Sequence, residues 1–462
     1  MESIWSEETQ IPERKSLHDN IKVQTAVIGA GMAGILIAYF LKKEGMDVVV
    51  VEAKRIASGQ TGNTTAKITS QHGMIYDRMI KKTGEERARG YAMANEDAIK
   101  LYERIIREEK IDCDFKKLPS YLYSVDQART EELKREAEAA RKLGIDACFV
   151  EGSKLQELPF AAAGAVCFEN QAQFDPLKFV RQLSEQLTVY ENTRVLSVDQ
   201  HVISTDKGTI TAENIVFATH YPFLIVPGFY FLRQHQERSY VLALSGQKEL
   251  DGMYYSIDEG GLSLRSAGEL LLLGGGAHRT GKMAGGGVQC PECVKEGFPY
   301  LRERAKTFFK GQEEAAHWAA QDCMPHDNIP FIGKYSAMRP YWYVATGFHK
   351  WGMTSSMIAA MLINDQIHGR ENPYANTFTP QRFLFRASLK NLLVDLGQSI
   401  KGLSNGLFSE KDRKCPHMGC RVTWNPDEES FDCPCHGSRF DKNGELIDNP
   451  AQVSLYQNKE IS

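Results

Sequence analysis

Thirty residues near the N-terminus confine the fold more than any other stretch of this chain. V-Q-T-A-V-I (23–28) reads as a short buried strand, and Gly29, Gly31 and Gly34 follow it. I-L-I-A-Y-F-L-K-K-E-G then reads as a helix ending at Gly45, and Val48 to Val51 as a second apolar strand, closed by Glu52 and Ala53. Gly29 permits a tight turn, Gly31 lets a pyrophosphate approach the backbone, and Gly34 lets helix and strand pack closely. The helix N-terminus offers free N–H groups and a positive dipole end to phosphates. Glu52 can accept hydrogen bonds from a ribose diol. Ala30, Met32 and Ala33 fill the turn between the glycines. The pattern predicts a dinucleotide site opening an α/β domain. It does not separate NAD from FAD, and an ordinary βαβ unit with a glycine turn is the competing reading.

The last fifty residues carry a second signal. Cys415 and His417 form C-x-H, and about fifteen residues later Cys433 and His436 form C-x2-H. Two thiolates and two imidazoles at this spacing suit a [2Fe–2S] cluster with two cysteines on one iron and two histidines on the other. Zinc is the rival ligand, but two donors one residue apart opposite C-P-C-H is poor zinc-finger spacing. Of the ten cysteines, Cys113, Cys148, Cys167, Cys290, Cys293 and Cys323 are scattered and do not form a disulfide framework. Cys290-Pro-Glu-Cys293 is a lone C-x2-C with no second pair in sequence reach.

A net charge of −4 implies no polyanion, so no nucleic-acid partner is expected. No run of about eighteen apolar residues argues for a membrane span. Met1 to Asn20 has no apolar signal core, which makes the cytoplasm the expected address. A length of 462 residues allows about three domains.

Three later segments point to FAD. S-G-Q-T-G-N-T-T-A-K (58–67) is a hydroxyl-rich loop holding Thr64, Thr65 and Ala66. T-A-E-N-I-V-F-A-T-H (211–220) reads as a strand ending at Ala218-Thr219, with Thr193-Arg194-Val195 before it. D-N-I-P-F-I-G (327–333) precedes strand Tyr341 to Ala345, which runs into T-G-F-H-K-W-G-M and a helix reaching about Gly369. Together these resemble the D-amino-acid oxidase and glycine oxidase family of flavoproteins over roughly residues 20 to 370. The resemblance implies a Rossmann-like FAD-binding domain built from 20–111, 156–224 and 321–370. It also implies an inserted antiparallel-sheet substrate domain from 112–155 and 225–320, segments that read as strand-like stretches alternating with turns. Gly347, Gly352 and Met353 match the turn whose helix N-terminus faces the flavin pyrimidine edge, where it would stabilise reduced flavin. His220 stands where the family pattern carries glycine.

Family members take a hydride from a carbon bearing an amine. The family holds carboxylate substrates with an arginine eight residues before the proline of P-x-I-G. Here that position is Asp322, whereas Trp318 does match. An acid in place of the anion clamp suits a cationic or hydroxyl-bearing amine, or else makes a structural hydrogen bond. His278, His349 and Lys350 sit on glycine-rich turns near the expected site, so with Asp322 they are the candidates to touch substrate or flavin.

The terminal segment resembles the Rieske family, with Cys415 and Cys433 as thiolate ligands and His417 and His436 as imidazole ligands. The resemblance pairs Cys420 with Cys435 as a disulfide joining the two ligand loops. It places the Ser438 hydroxyl on a bridging sulfur. Phe440 stands where the highest-potential members carry tyrosine, which implies a potential below the top of the Rieske range. Residues 371–404 read as a linker or amphipathic helix, leaving too few residues before Cys415 for the strands that normally come first. The all-β module at 405–462 is therefore expected to be shortened. A Rieske oxygenase would need a separate mononuclear iron site, and the remaining ten histidines show no paired spacing with a nearby acid.

The expectation is an FAD-dependent oxidoreductase with one [2Fe–2S] cluster. It would oxidise a small, amine-type substrate and pass electrons singly to an unidentified acceptor. A plain flavin amine oxidase with a vestigial cluster domain, and a non-catalytic redox sensor, are the alternatives.

Overall fold

The computed structural model describes residues 2–246, 248–282, 295–382, 388, 394–395, 397, 403–404 and 413–456. Cys290, Cys293, most of 383–404 in the stretch read above as linker or helix, and 405–412 of the expected all-β module lie outside the described residues.

The first sheet has eight strands and is parallel at its centre. Ile21–Ile28 lies between Thr209–Phe217 and Val48–Val51, and pairs parallel with both. Arg339–Thr346 adds beyond Thr209–Phe217, and Thr188–Tyr190 beyond Val48–Val51. Val48–Val51 is buried along its whole length, as a parallel strand covered on both faces must be. Helices Met32–Lys43 and Gly352–Ile367 pack together over this sheet. Gly29 has φ +104°, and a Cβ there would stand 2.5 Å from the Ala218 carbonyl oxygen. A Cβ on Gly34 would run into the Gly29 carbonyl. The glycine turn is thus required by its contacts as well as by its backbone angle.

The second sheet has nine strands, mostly antiparallel, with Glu314–Pro325, Gln234–Leu244, Leu270–Arg279 and Ser263–Ala267 adjacent in that order. Lys116–Ser124 and Gly164–Gln173 continue it through one parallel pairing with Met253–Ser256. Gly164–Gln173 therefore belongs to this sheet, although it falls in a segment read above as nucleotide domain, and Glu314–Pro325 spans residue 321. The 112–155 segment is not strands and turns alone. Thr130–Leu143 is a helix that buries Leu133, Ala137, Ala140 and Leu143 on one stripe, at the spacing an amphipathic helix requires. Gly297–Phe308 is a second helix on this sheet.

The C-terminal module is a four-stranded antiparallel meander of Thr423–Asn425, Ser430–Asp432, Arg439–Asp441 and Leu446–Asp448. Each strand is only three residues long. Among the described residues of this module no strand precedes the first ligand loop, whose two ends meet in the Lys414–Arg421 bridge. So small a sheet cannot bury much by itself. The module instead leans on the larger body through a buried charge network. Arg238 Nε donates to Glu428 Oε1 at 2.8 Å, while Arg439 reaches Glu428, Asp432 and Asp448 at 2.7–3.1 Å.

Candidate functional site

The glycine turn opens into a cavity of about 1040 Å³. Of the residues singled out in the sequence, Gly29, Gly31, Met32, Ala33, Glu52, Ala53, Thr64, Thr65, Val195, Ala218, Thr219, Gly352 and Met353 line it. Ala30, Gly34, Ala66 and Gly347 stand behind the wall. The Ala30 N–H is spent on Glu52 at 2.9 Å, and Gly34 packs on Gly29. Ala66 takes φ +54°, with its N–H held by the Thr64 hydroxyl at 2.9 Å. Gly347 has φ +72° and backs onto Pro325 and Gln234. Glu52 is half-buried with both oxygens on backbone N–H groups, and desolvation pushes its carboxyl above the ordinary range. A long cleft with glycine at its phosphate turn and an acid one strand away fits a dinucleotide.

Three of the four catalytic candidates meet in this cavity. Asp322 lines it, takes a 3.4 Å hydrogen bond from the Ser239 hydroxyl, and is pushed toward the neutral form by burial. His349 and Lys350 lie on the turn into helix Gly352–Ile367 with φ of +49° and +69°, a strained pair such as packing sustains at functional turns. Burial lowers His349 to about 4, and its Nδ1 is buried with no hydrogen-bond partner. Burial would also lower Lys350, but the Glu237 carboxylate at 2.9 Å outweighs it and holds the amine charged. His278 does not line the cavity. Its ring stacks on Tyr240, Nε2 meets the Tyr240 hydroxyl at 2.8 Å, and Nδ1 meets the Arg279 carbonyl at 2.9 Å. Both ring nitrogens are taken up in the sheet.

Lys67 was not singled out in the sequence, where it is one lysine closing a polar loop. Its ammonium is buried against the cavity wall, donates to the Tyr254 carbonyl at 3.1 Å and reaches Ser263. Burial, helped by nearby Arg265, lowers it to about 7.

At the C-terminal end, Cys415 and Cys433 are buried free thiols, and the His417 and His436 rings lie 4.9 Å apart. Nδ1 of both histidines is buried without a hydrogen-bond partner. Two orphaned imidazole nitrogens beside two free thiols form a donor set for metal, since unpaired buried polar atoms are costly otherwise. Cys420 and Cys435 form a disulfide joining the two loops. Ser438 is fully buried, and its oxygen accepts from the Ala451 N–H at 3.0 Å, which leaves its proton for the thiol side.

The module closes part of the cavity. Arg439, Leu446, Ile447, Asp448, Asn449 and Gln452 line it. Asn449 Nδ2 donates to the carbonyls of Thr219 and Tyr221 at 3.1 and 2.8 Å. Gln236 Nε2 donates to the His436 carbonyl at 2.7 Å, and Gln321 Nε2 to the Gly437 carbonyl at 2.8 Å. Ala320 and Asp322, which flank Gln321, line the cavity. One strand therefore faces the nucleotide cleft and grips the metal-donor loop.

Comparison with known proteins agrees with both ends. The family described as FAD dependent oxidoreductase (DAO) matches residues 24–366, and the Rieske [2Fe-2S] domain matches residues 404–459. A protein of Bacillus subtilis (strain 168), provisionally named Rieske 2Fe-2S iron-sulfur protein YhfW, is 34% identical over 99% of this chain and 97% of its own length. Glycine oxidase from Geobacillus kaustophilus superposes with a TM-score of 0.65 at 18% identity, covering 78% of this chain and 99% of that one. L-Proline dehydrogenase from P. horikoshii gives 0.65 at 18% identity, over 79% and 98%. At this identity the two structures speak for the fold alone. Among the described residues no helix is long and apolar enough to cross a membrane.

Proposed function

Since the chain belongs to the FAD dependent oxidoreductase (DAO) family and ends in a Rieske [2Fe-2S] domain, we propose that it oxidises a small amine and sends the electrons one at a time to a separate acceptor. Its cofactors are FAD and one [2Fe–2S] cluster. Bound FAD supplies a two-electron acceptor, and the cluster a one-electron carrier. Cys415, His417, Cys433 and His436 would hold the cluster, and the glycine turn with Glu52 would hold the nucleotide.

The observation that carries this reading is the Gln321–Gly437 hydrogen bond within a strand whose neighbouring residues wall the cavity. A cluster loop fastened to the cleft wall suits electron exit better than a vestigial module does. An amine substrate is supported by the solved relatives, whose names give glycine and L-proline as their substrates. A cationic or hydroxyl-bearing amine is supported by Asp322, an acid in the cleft with Ser239 beside it. Lys350, held charged by Glu237, balances the acid and can face the electron-rich edge of a reduced cofactor. Trp351, which also lines the cavity, stacks on His72 with ring centroids 4.8 Å apart.

Anaerobic stopped-flow mixing with a panel of polyamines, amino sugars and amino acids tests the proposal. Flavin bleaching followed by cluster bleaching with an accepted amine is the expected result. Flavin reduction with the cluster left oxidised, together with peroxide formation in air, would identify a plain oxidase.

A further inference from the structure

The fold assembles a second set of metal donors that no spacing in the sequence displays. His235 lies in strand Gln234–Leu244, His326 directly follows strand Glu314–Pro325, and Asp395 comes from the segment joining the body to the C-terminal module. His235 Nδ1 stands 3.0 Å and His326 Nε2 2.6 Å from the same oxygen, Asp395 Oδ2. The donor atoms lie within 4.8 Å of one another, and His326 and Asp395 are buried. We propose that His235 Nδ1, His326 Nε2 and Asp395 Oδ2 bind one divalent transition-metal ion, separate from the cluster.

Two imidazoles and one carboxylate form a mixed nitrogen and oxygen set of the borderline kind that zinc and iron(II) accept. Three protein donors leave room for a further ligand, as in sites that do chemistry. The surroundings are arranged as outer partners should be. Glu237 Oε1 faces the other nitrogen of His235 at 3.4 Å, the carboxylate–histidine arrangement that fixes a ligating tautomer. Arg279 takes Asp395 Oδ1, so only Oδ2 is turned toward the imidazoles.

Charge sets the terms of binding. Asp395 and Glu237 face Arg279 and Lys350, which leaves the set close to neutral before any ion enters. The rival arrangement is an imidazolium at His235 held between two carboxylates, with protons alone joining the three residues. A metal with bonds of about 2.1 Å needs donors roughly 3.4 Å apart. Entry of the ion would therefore displace both bridging protons, one from His235 Nδ1 and one from His326 Nε2, and widen the two nitrogen–oxygen gaps. Arg279 also donates to the carbonyls of Pro434 and Cys435, each at 3.3 Å. The site is thus one side chain away from the loop that carries His436.

The test uses the full-length holoprotein, freed of adventitious metal by a weak chelator and dialysed against zinc chloride. Expected is one zinc per chain by mass spectrometry, with only nitrogen and oxygen neighbours at about 2.0–2.2 Å in the zinc X-ray absorption spectrum. His326→Ala and Asp395→Asn should each lose that zinc while keeping the flavin spectrum and the cluster EPR signal. Failure of the wild-type protein to retain zinc overturns the proposal. So does sulfur in the zinc shell, or an undiminished zinc count in both variants. If a variant fails to fold, the wild-type count and spectrum still decide.

Discussion

The side-chain amide of Gln236 donates to the main-chain carbonyl of His436 at 2.7 Å, and its own carbonyl oxygen accepts from Gln321 Nε2 at 2.7 Å. Two buried glutamines on neighbouring strands thus form a clasp on the loop that carries His436, a proposed cluster ligand. Leucine at position 236 would leave the His436 carbonyl and Gln321 short of partners, at about 1–3 kcal/mol for each unsatisfied buried group. Gln236→Leu should keep FAD and the cluster EPR signal but slow cluster reduction after flavin reduction by at least tenfold. Unchanged relay in rapid-mixing experiments would show that the clasp plays no part.

Ser438 is set to donate its proton toward the thiol of Cys415. A hydrogen bond to sulfur favours the more electron-rich, reduced cluster. Ser438→Ala should lower the midpoint potential by about 60 mV, the one-electron equivalent of roughly 1.4 kcal/mol. Potentiometric titration reads the value, and a rise on removing the hydroxyl would contradict the assignment.

Burial lowers Lys67 to about 7, far below a free lysine. Below that pH both the folded and unfolded chains hold the proton, and the cost of burying the ammonium is fully present. Above it the folded chain has lost a proton that the unfolded chain keeps until about pH 10. Stability should therefore climb from about pH 7 to pH 9.5, by at most about 1.4 kcal/mol per unit from this group. Lys67→Met should remove that component. Urea unfolding of both proteins across the window makes the comparison, and parallel profiles would refute it.

Arg238 and Glu428 face each other across the seam with side chains 2% and 4% exposed, so neither charge has water to fall back on. Arg238→Met leaves Glu428 with Arg439 as its remaining cation and with the Asn425 amide. Loss of one partner from a buried pair costs about 3–5 kcal/mol, and the remaining arginine should keep the loss near the lower figure. The C-terminal module should become protease-sensitive and shed its cluster on mild heating while the flavin stays bound. A cluster that survives heating as in the wild type would argue against the network as the fastener.

Asp322→Asn should raise KM for a cationic amine about tenfold, roughly 1.4 kcal/mol of lost ion pairing, and alter kcat less. Steady-state kinetics with the accepted amine decides. An equal KM would return Asp322 to the role of a structural hydrogen-bonding group.

The chain order of strand, Gly29, helix, strand and Glu52 was legible without coordinates, because each step is a local demand of backbone geometry or apolar periodicity. Val48–Val51 falls where the pattern put it, and so does the turn that opens helix Gly352–Ile367. The Rieske domain was legible for the same reason, since the loops bearing Cys415, His417, Cys433 and His436 are short and their spacing survives in one dimension. The helix Thr130–Leu143 was also written in its apolar stripe, but the 112–155 stretch was read as strands and turns.

What lay outside sequence reach are relations between distant segments. Gln236 meets His436 across 200 positions, and Arg238 meets Glu428 across 190. His235, His326 and Asp395 converge from three separate places, and His278 turns its nitrogens into the sheet. Lys67 is an ordinary lysine until Tyr254, Ser263 and Arg265 enclose it. Local propensity and ligand spacing are properties of neighbours along the chain. Burial, charge pairing and the seating of one domain on another depend on which surfaces are withdrawn from water together, and only the folded arrangement decides that.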